Sequence, residues 1–170
     1  ELGTTFVFVT HDQSEALALS SRVAIFERGV LQQVAAPKHV YERPANRFVA
    51  EFLGDINILP LSDVTTSGSG SKATFEGQSL QITGDPGAPG QSLAVRPEHM
   101  ALQMTAPAGG NAIAANLRDL TYLGAQTQLT LSTPGNVPLM LSMPTAALPS
   151  GLTPNAQVWV AWPDDQGRFL

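Results

Sequence analysis

Residues 6–29 read FVFVTHDQSEALALSSRVAIFERG. An unbroken apolar run stops at Thr10-His11-Asp12, restarts as an amphipathic stretch, and turns apolar again. A β-branched and aromatic run without alternation is the pattern of a strand buried on both faces, as in a parallel sheet. Residues 4–9 are therefore predicted as such a strand. Asp12 followed three positions later by Glu15 matches the reciprocal cap of a helix start, so a helix is predicted over residues 13–20. Residues 22–27 read as a second strand, Arg28-Gly29 as a turn and residues 30–34 as a third strand. Pro37 suits the first turn of a short helix that Pro44 stops. Asn46 caps a further helix ended by Gly54.

His11 thus falls at the carboxyl end of a strand, directly before a helix. Ligands of open α/β sheets bind at such a place, and the free N–H groups of a helix start favour an anion. Position alone leaves a second reading open, a loop histidine satisfied by local hydrogen bonds. A metal reading is weaker: His11 with Glu15 supplies two ligands, His39 and His99 stand alone, and a structural zinc site takes four.

The bulk numbers limit the function classes. The chain has 170 residues, a net charge of -5, 43% apolar and 14% charged residues, and no cysteine. A low charged fraction leaves much of the surface to neutral polar side chains. An acidic balance opposes nucleic-acid binding, the missing cysteines exclude a disulfide framework, and no apolar run has the length of a membrane span. The opening Glu1-Leu2-Gly3 carries no basic leader and no initiator Met, which leads us to expect a piece of a longer chain.

Two regions differ in character, with the seam near Gly54-Asp55. Residues 1–55 hold 12 of the 23 charged residues; residues 56–170 hold 11 of the 13 prolines. The second region consists of short, often alternating segments over residues 73–75, 79–82, 92–96, 101–104, 112–120, 126–131, 138–143 and 157–162. Turn residues divide them at the spacing of a β-barrel or sandwich. Residues 66–71 (TSGSGS) and 84–90 (GDPGAPG) read as loops. No repeat of fixed period is visible in the sequence.

Residues 4–54 closely resemble the last part of the nucleotide-binding domain of ABC importer ATPase subunits of the maltose/polyamine type. Thr10-His11-Asp12-Gln13 with Glu15-Ala16, Gly29-Val30-Leu31-Gln32-Gln33, Pro37 through Pro44, and Phe48 through Gly54 match that family's pieces in order and spacing. Ala94-Val95-Arg96-Pro97-Glu98 and Arg118-Asp119 with Tyr122-Leu123-Gly124 resemble two motifs of the same subunits' C-terminal TOBE (transport-associated OB) regulatory domain. The resemblance implies a mixed fold. Residues 1–55 would be a truncated α/β remnant of the ATPase domain, and residues 56–170 an all-β, OB-like TOBE domain.

By the same resemblance His11 is the switch histidine, which contacts the γ-phosphate of ATP and is both the catalytic and the cofactor-binding residue. Arg96, Pro97, Glu98, Tyr122, Leu123 and Gly124 belong to the regulatory interface. The cofactors implied are ATP and Mg in the full-length protein and none in this stretch; no metal ligands of the chain's own are expected. The partners implied are a second copy, transmembrane permease subunits and a solute-binding protein, with a peripheral place on the cytoplasmic face of the membrane. The segments FLGDIN (residues 52–57) and VWVAWPDD (residues 158–165) look most like polyamine-type importers.

Some features depart from the family pattern. Ser21 stands where an Asp is usual, and Ala35-Ala36-Pro37 where Gly-Thr-Pro is usual. No G-x-x-x-x-G-K-[ST] phosphate loop occurs, and the Gln loop, signature segment and catalytic Glu are missing too. The chain alone is therefore not expected to hydrolyse ATP.

Other candidates carry bland readings. Arg96 and Glu98 suit a strand-end ion pair or an interface better than a catalytic pair, Asp164-Asp165 a solvated turn, and Trp159 and Trp162 core and edge packing. Two rival functions come from the barrel alone. Single-strand nucleic-acid binding needs a basic groove with stacking aromatics, yet residues 56–170 carry four Lys or Arg against seven acids. A small oxyanion sensor is the other, testable by saturable binding.

Overall fold

The computed structural model describes residues 3–67, 70–83 and 90–170. The chain forms two compact units, Glu1–Gly54 and Asp55–Leu170.

The first unit holds three short helices and one hairpin. Helix α1 (Gln13–Leu19) starts where the Asp12 side chain accepts from the Glu15 backbone N–H. Strands β1 (Val23–Glu27) and β2 (Val30–Ala35) pair antiparallel, with Glu27 opposite Val30. Their two-residue turn puts both Arg28 and Gly29 at positive φ, 48° and 81°, which is the primed turn that matches strand twist. Helix α2 (Pro37–Glu42) has Pro at its first position. Helix α3 (Arg47–Phe52) is capped by Asn46, whose side chain accepts from Val49 N–H at 2.9 Å. The paired glutamines of the hairpin hold the connection between α2 and α3. Gln33 donates to the Arg43 carbonyl and accepts from Ala45 N–H, and Gln32 accepts from the Asn46 amide. Val23, Ile25, Val40, Val49 and Leu53 form a small core.

The predicted strand over residues 4–9 does not form. These residues pair with no strand, and Phe6, Val7 and Val9 are 84%, 89% and 98% exposed. A strand is stable only with a neighbour to take its N–H and C=O groups and a face to bury its side chains. The one sheet among the described residues of this unit, β1-β2, provides neither.

Among the described residues the second unit is all β apart from two 3-10 turns. Strands β3 (Asn57–Pro60), β4 (Ser62–Ser67), β5 (Gly70–Phe75), β6 (Gln78–Ile82) and β7 (Ser92–Val95) lead to a 3-10 turn at Pro97–His99. Strands β8 (Ala101–Gln103), β9 (Asn111–Leu123), β10 (Gln126–Ser132) and β11 (Pro138–Pro144) follow. A second 3-10 turn at Thr145–Ala147 precedes β12 (Gln157–Trp162) and β13 (Arg168–Phe169). Three sheets result, with strand orders β11-β10-β9-β12-β8, β13-β7-β3 and β4-β5-β6.

The alternation expected of a half-buried sheet is clear in β9, where Asn111, Ile113, Ala115 and Leu117 point inward. With Leu59, Phe75, Leu80, Leu93, Leu129, Leu141 and Val160 they line one core.

Three strands were not expected from the sequence: β3, β4 and β13. The stretch read as a loop, residues 66–71, instead carries the ends of β4 and β5, since Thr66 pairs with Ser71 and Ser67 with Gly70. Gly and Ser there are compatible with a hairpin whose stability comes from the ladder on either side. Residues 68–69 lie outside the described residues, as do residues 84–89 of the other predicted loop.

Two buried asparagines join the sheets. Asn57 accepts from Met140 N–H and donates to Met140 C=O, both at 2.7 Å, and so ties β3 to β11. Asn111 does the same to Gln81, also at 2.7 Å twice, and ties β9 to β6. A side-chain amide here replaces a ladder rung where two strands are not close enough to pair. Truncating it strands a donor and an acceptor in the protein interior, each of which costs about 1–3 kcal/mol when left unsatisfied. Asn111→Ala is therefore expected to destabilise the second unit by at least about 1–3 kcal/mol, read as a lower urea midpoint with an unchanged slope. An unchanged midpoint would show that the rung contributes nothing.

Candidate functional site

Three side chains fix the corner that carries His11. Thr10 is half-buried, and its hydroxyl accepts from Asp12 N–H at 2.9 Å while donating to a Glu15 carboxylate oxygen at 3.1 Å. Asp12 accepts from Glu15 N–H at 3.0 Å, and its carbonyl accepts from Ala16 N–H. The cap differs from the expected reciprocal box in one arm. Glu15 returns to the Thr10 hydroxyl rather than to the Asp12 backbone, and that hydroxyl takes up the Asp12 N–H itself. The effect is stronger constraint, because the residues on both sides of His11 are tied to the first turn of α1.

His11 itself is exposed. With Thr10, Asp12 and Gln13 it edges a hollow of about 200 Å³ whose remaining lining is apolar, including Ile25, Phe52 and Leu53. A neutral imidazole offers one N–H donor and one acceptor. Held at a fixed corner, it can direct that donor at an anionic oxygen. Glu15, the second side chain of the metal reading, accepts a hydrogen bond from the Thr10 hydroxyl on one of its two carboxylate oxygens. No group of three or more His, Cys, Asp or Glu side chains able to hold a metal occurs among the described residues.

Of the other candidates His39 lies on α2 of the first unit, and the rest lie in the second unit. Arg96 lies between β7 and the 3-10 turn and is only 4% exposed, with Nη1 donating to the Asp55 carbonyl at 3.0 Å. Pro97 is buried and opens the 3-10 turn, which leaves Glu98 at the surface. Tyr122, Leu123 and Gly124 make the tip of the β9-β10 hairpin. Tyr122 and Leu123 are 73% and 61% exposed, and Gly124 takes φ 81°, which the two-residue turn requires. The tip is pinned from the side. Thr145 donates its hydroxyl to Gly124 C=O and its N–H to Ala125 C=O. Two large apolar side chains are thus presented to solvent on a hairpin that is held in place. Trp162 packs in the core and Trp159 is half-buried, and Asp164 contributes its carbonyl to Thr83 N–H.

Asn57, Asn111 and Glu76 were not singled out from the sequence. For the asparagines a signal existed: each opens an apolar alternating strand, where a polar residue needs a partner. Glu76 sits at positive φ in the β5-β6 turn, and its carboxylate accepts from the Thr133 hydroxyl at 2.6 Å and from Gly135 N–H at 3.1 Å.

Residues 93–170 match the TOBE domain family. The chain is 39% identical over 168 residues to the spermidine/putrescine import ATP-binding protein PotA of Rubrobacter xylanophilus, covering 95% of this chain and 44% of that protein. It is 35% identical over 175 residues to PotA of Thermobifida fusca, covering 100% of this chain and 46% of the relative. It is 37% identical over 168 residues to the uncharacterized ABC transporter ATP-binding protein YdcT of Escherichia coli, covering 96% and 43%. The chain thus spans a little under half the length of these relatives. Among solved structures, the molybdate-bound form of the cytoplasmic molybdate-binding protein ModG superposes with a TM-score of 0.51 at 12% identity, covering 66% of this chain and 92% of that one. That likeness concerns the fold alone. The mixed fold and the matches together mean that this chain carries a TOBE domain at residues 93–170, within a longer stretch that it shares with the ATP-binding subunits of ABC importers.

Proposed function

We propose that this chain is part of the ATP-hydrolysing subunit of an ABC importer, most closely of the polyamine type. It would join the tail of the ATPase domain (residues 1–55) to a regulatory and dimerisation domain (residues 56–170). The observation that carries the reading is similarity along nearly the whole chain to importer ATP-binding subunits, with the T-H-D-Q corner built as a rigid mount for an exposed imidazole. In this reading the intact subunit uses ATP and Mg and sits against permease subunits on the cytoplasmic face of the membrane. Solute is delivered by a separate binding protein.

His11 then serves phosphoryl transfer. That reaction is catalysed by positioning and by stabilising charge on the equatorial oxygens. The Thr10-Asp12-Glu15 bonds hold the imidazole so that its N–H meets the γ-phosphate. Arg96, Pro97 and Glu98 support the regulatory interface from within the domain and at its surface, and Tyr122, Leu123 and Gly124 contribute the exposed contact. We further propose that the chain pairs with a second copy. Phe6, Val7, Phe8 and Val9 lie open to solvent, and each large apolar side chain gains roughly 1.5–3 kcal/mol on full burial.

Three outcomes follow from this reading. The 170-residue chain should not bind Mg-ATP tightly, because one histidine donor supplies about 0.5–3 kcal/mol; micromolar affinity by calorimetry would overturn this. In the complete subunit, His11→Ala should lower ATP turnover, and with it uptake of labelled spermidine, far more than it lowers ATP affinity. Equal losses in affinity and turnover would place the histidine on the ground state instead. Sedimentation at micromolar concentration should show a dimer of this chain, and a clean monomer would rule out the pairing.

A further inference from the structure

Among the described residues each sheet of the second unit has two end strands. An end strand is a template for a strand of another chain unless something blunts it. Four of the six are blunt by their own build. Strands β8 and β13 have three and two residues, and β3 has four and ends in Pro60. Strand β4 is polar, its ladder slips between Ser62 and Thr65, and Asp63 stands at φ 51° in the slip. Strands β6 and β11 are different. They are five and seven residues long, and their ladders run without a slip. Each turns apolar side chains into the core, Leu80 and Ile82 from β6 and Leu139 and Leu141 from β11.

The two buried asparagines bond on these two edges. In an antiparallel ladder, residues whose N–H and C=O face the partner strand alternate with residues whose groups face away. Met140 bonds Asn57 through both groups, and Gln81 bonds Asn111 through both, so each faces away from its ladder. On β11 the outward set is then residues 138, 140, 142 and 144. Pro138 and Pro144 have no N–H, Met140 is taken, and Ser142 alone of the four presents a donor. On β6 the outward set runs through residues 79, 81 and 83. Gln81 is taken, Thr83 N–H donates to Asp164 C=O at 2.8 Å, and Ser79 is left beside the turn. The outer rungs of the two longest apolar end strands are thus closed, apart from one serine on each.

We infer that Asn57 and Asn111 guard these edges against strand addition, and that the partner they keep off is a second copy of this chain. Strand β11 is self-complementary about Met140. In an antiparallel pair of two copies, Met140 exchanges both bonds with its counterpart, and Ser142 N–H reaches the Pro138 C=O of the copy. Such a pairing is isologous and uses the same edge on both chains. Asn57 competes with it from within the chain, its carboxamide standing 2.7 Å from both Met140 groups, and the intramolecular bonds need no second molecule. The β11 edge belongs to the second unit and the exposed residues 6–9 to the first, so pairing through residues 6–9 is a separate matter.

The test uses the full chain. Asn57→Ala at micromolar concentration should sediment at no less than twice the mass of the unsubstituted chain, with the fluorescence of Trp159 and Trp162 reporting an intact fold. Adding Ser142→Pro deletes the last outward donor of β11, which an edge strand tolerates, and should return the mass to that of the unsubstituted chain. A folded Asn57→Ala chain of unchanged mass would overturn the proposal, and so would a raised mass that Ser142→Pro leaves in place. A second measurement needs no variant. In the unsubstituted chain, amide exchange followed by NMR should be as slow at Met140 and Gln81 as at the ladder positions Leu141 and Leu80, and fast at Ser142 and Ser79. Fast exchange at Met140 or Gln81 would overturn the proposal even where Asn57→Ala does not fold; slow exchange at both supports it.

Discussion

A carboxamide side chain carries a donor and an acceptor at the spacing of a peptide group, and the β unit depends on two of them. Its eleven strands among the described residues fall into three sheets, and sheets that do not share a ladder must be joined by something other than backbone pairing. Asn57 and Asn111 contribute to that join beside the shared apolar core, each bonding both backbone groups of one residue. An apolar side chain would pack in either place but leave the N–H and C=O of Met140 or Gln81 without this partner, which is the costlier fault. An aspartate would offer acceptors only. Asparagine is the short side chain that supplies both groups and remains neutral.

Much of this architecture was legible in the sequence. Asp12 and Asn46 announced their helices, Pro37 placed the start of another, and eight of the β segments were visible from alternation between turn residues. What could not be read was whatever depended on a distant partner. Residues 4–9 have the composition of a buried strand, yet composition does not provide the neighbouring strand. Residues 62–67 (SDVTTS) lack an apolar stripe and are a strand only because β5 runs alongside. Arg168-Phe169 is too short to signal anything, and takes its place through β7.

The histidine corner was legible in part. The T-H-D-Q motif and the cap could be read; the third member of the network, the Thr10 hydroxyl, could not. A threonine before a histidine has no sequence signature as a hub. Its placement between Asp12 N–H and the Glu15 carboxylate follows from the sharp exit of the chain into α1. The outcome is a polar corner made rigid by local bonds while the apolar residues just before it stay uncovered. Rigidity of the mount and exposure of its surroundings are thus separate properties, written into adjacent residues.

The contact between Glu76 and Gly135 bears on how the sequence can vary. A Cβ at position 135 would run into the Glu76 carboxylate. The carboxylate is flexible enough to swing away, but doing so breaks its bonds to Thr133 and to the Gly135 N–H. Glycine at 135 is therefore not demanded by backbone angle; it is demanded by an acid 59 positions earlier in the chain. Wherever that acid is exchanged for a shorter side chain, the demand lapses. The two positions should co-vary across descendants of this sequence, and a substitution at one should be silent or harmful according to the residue inherited at the other.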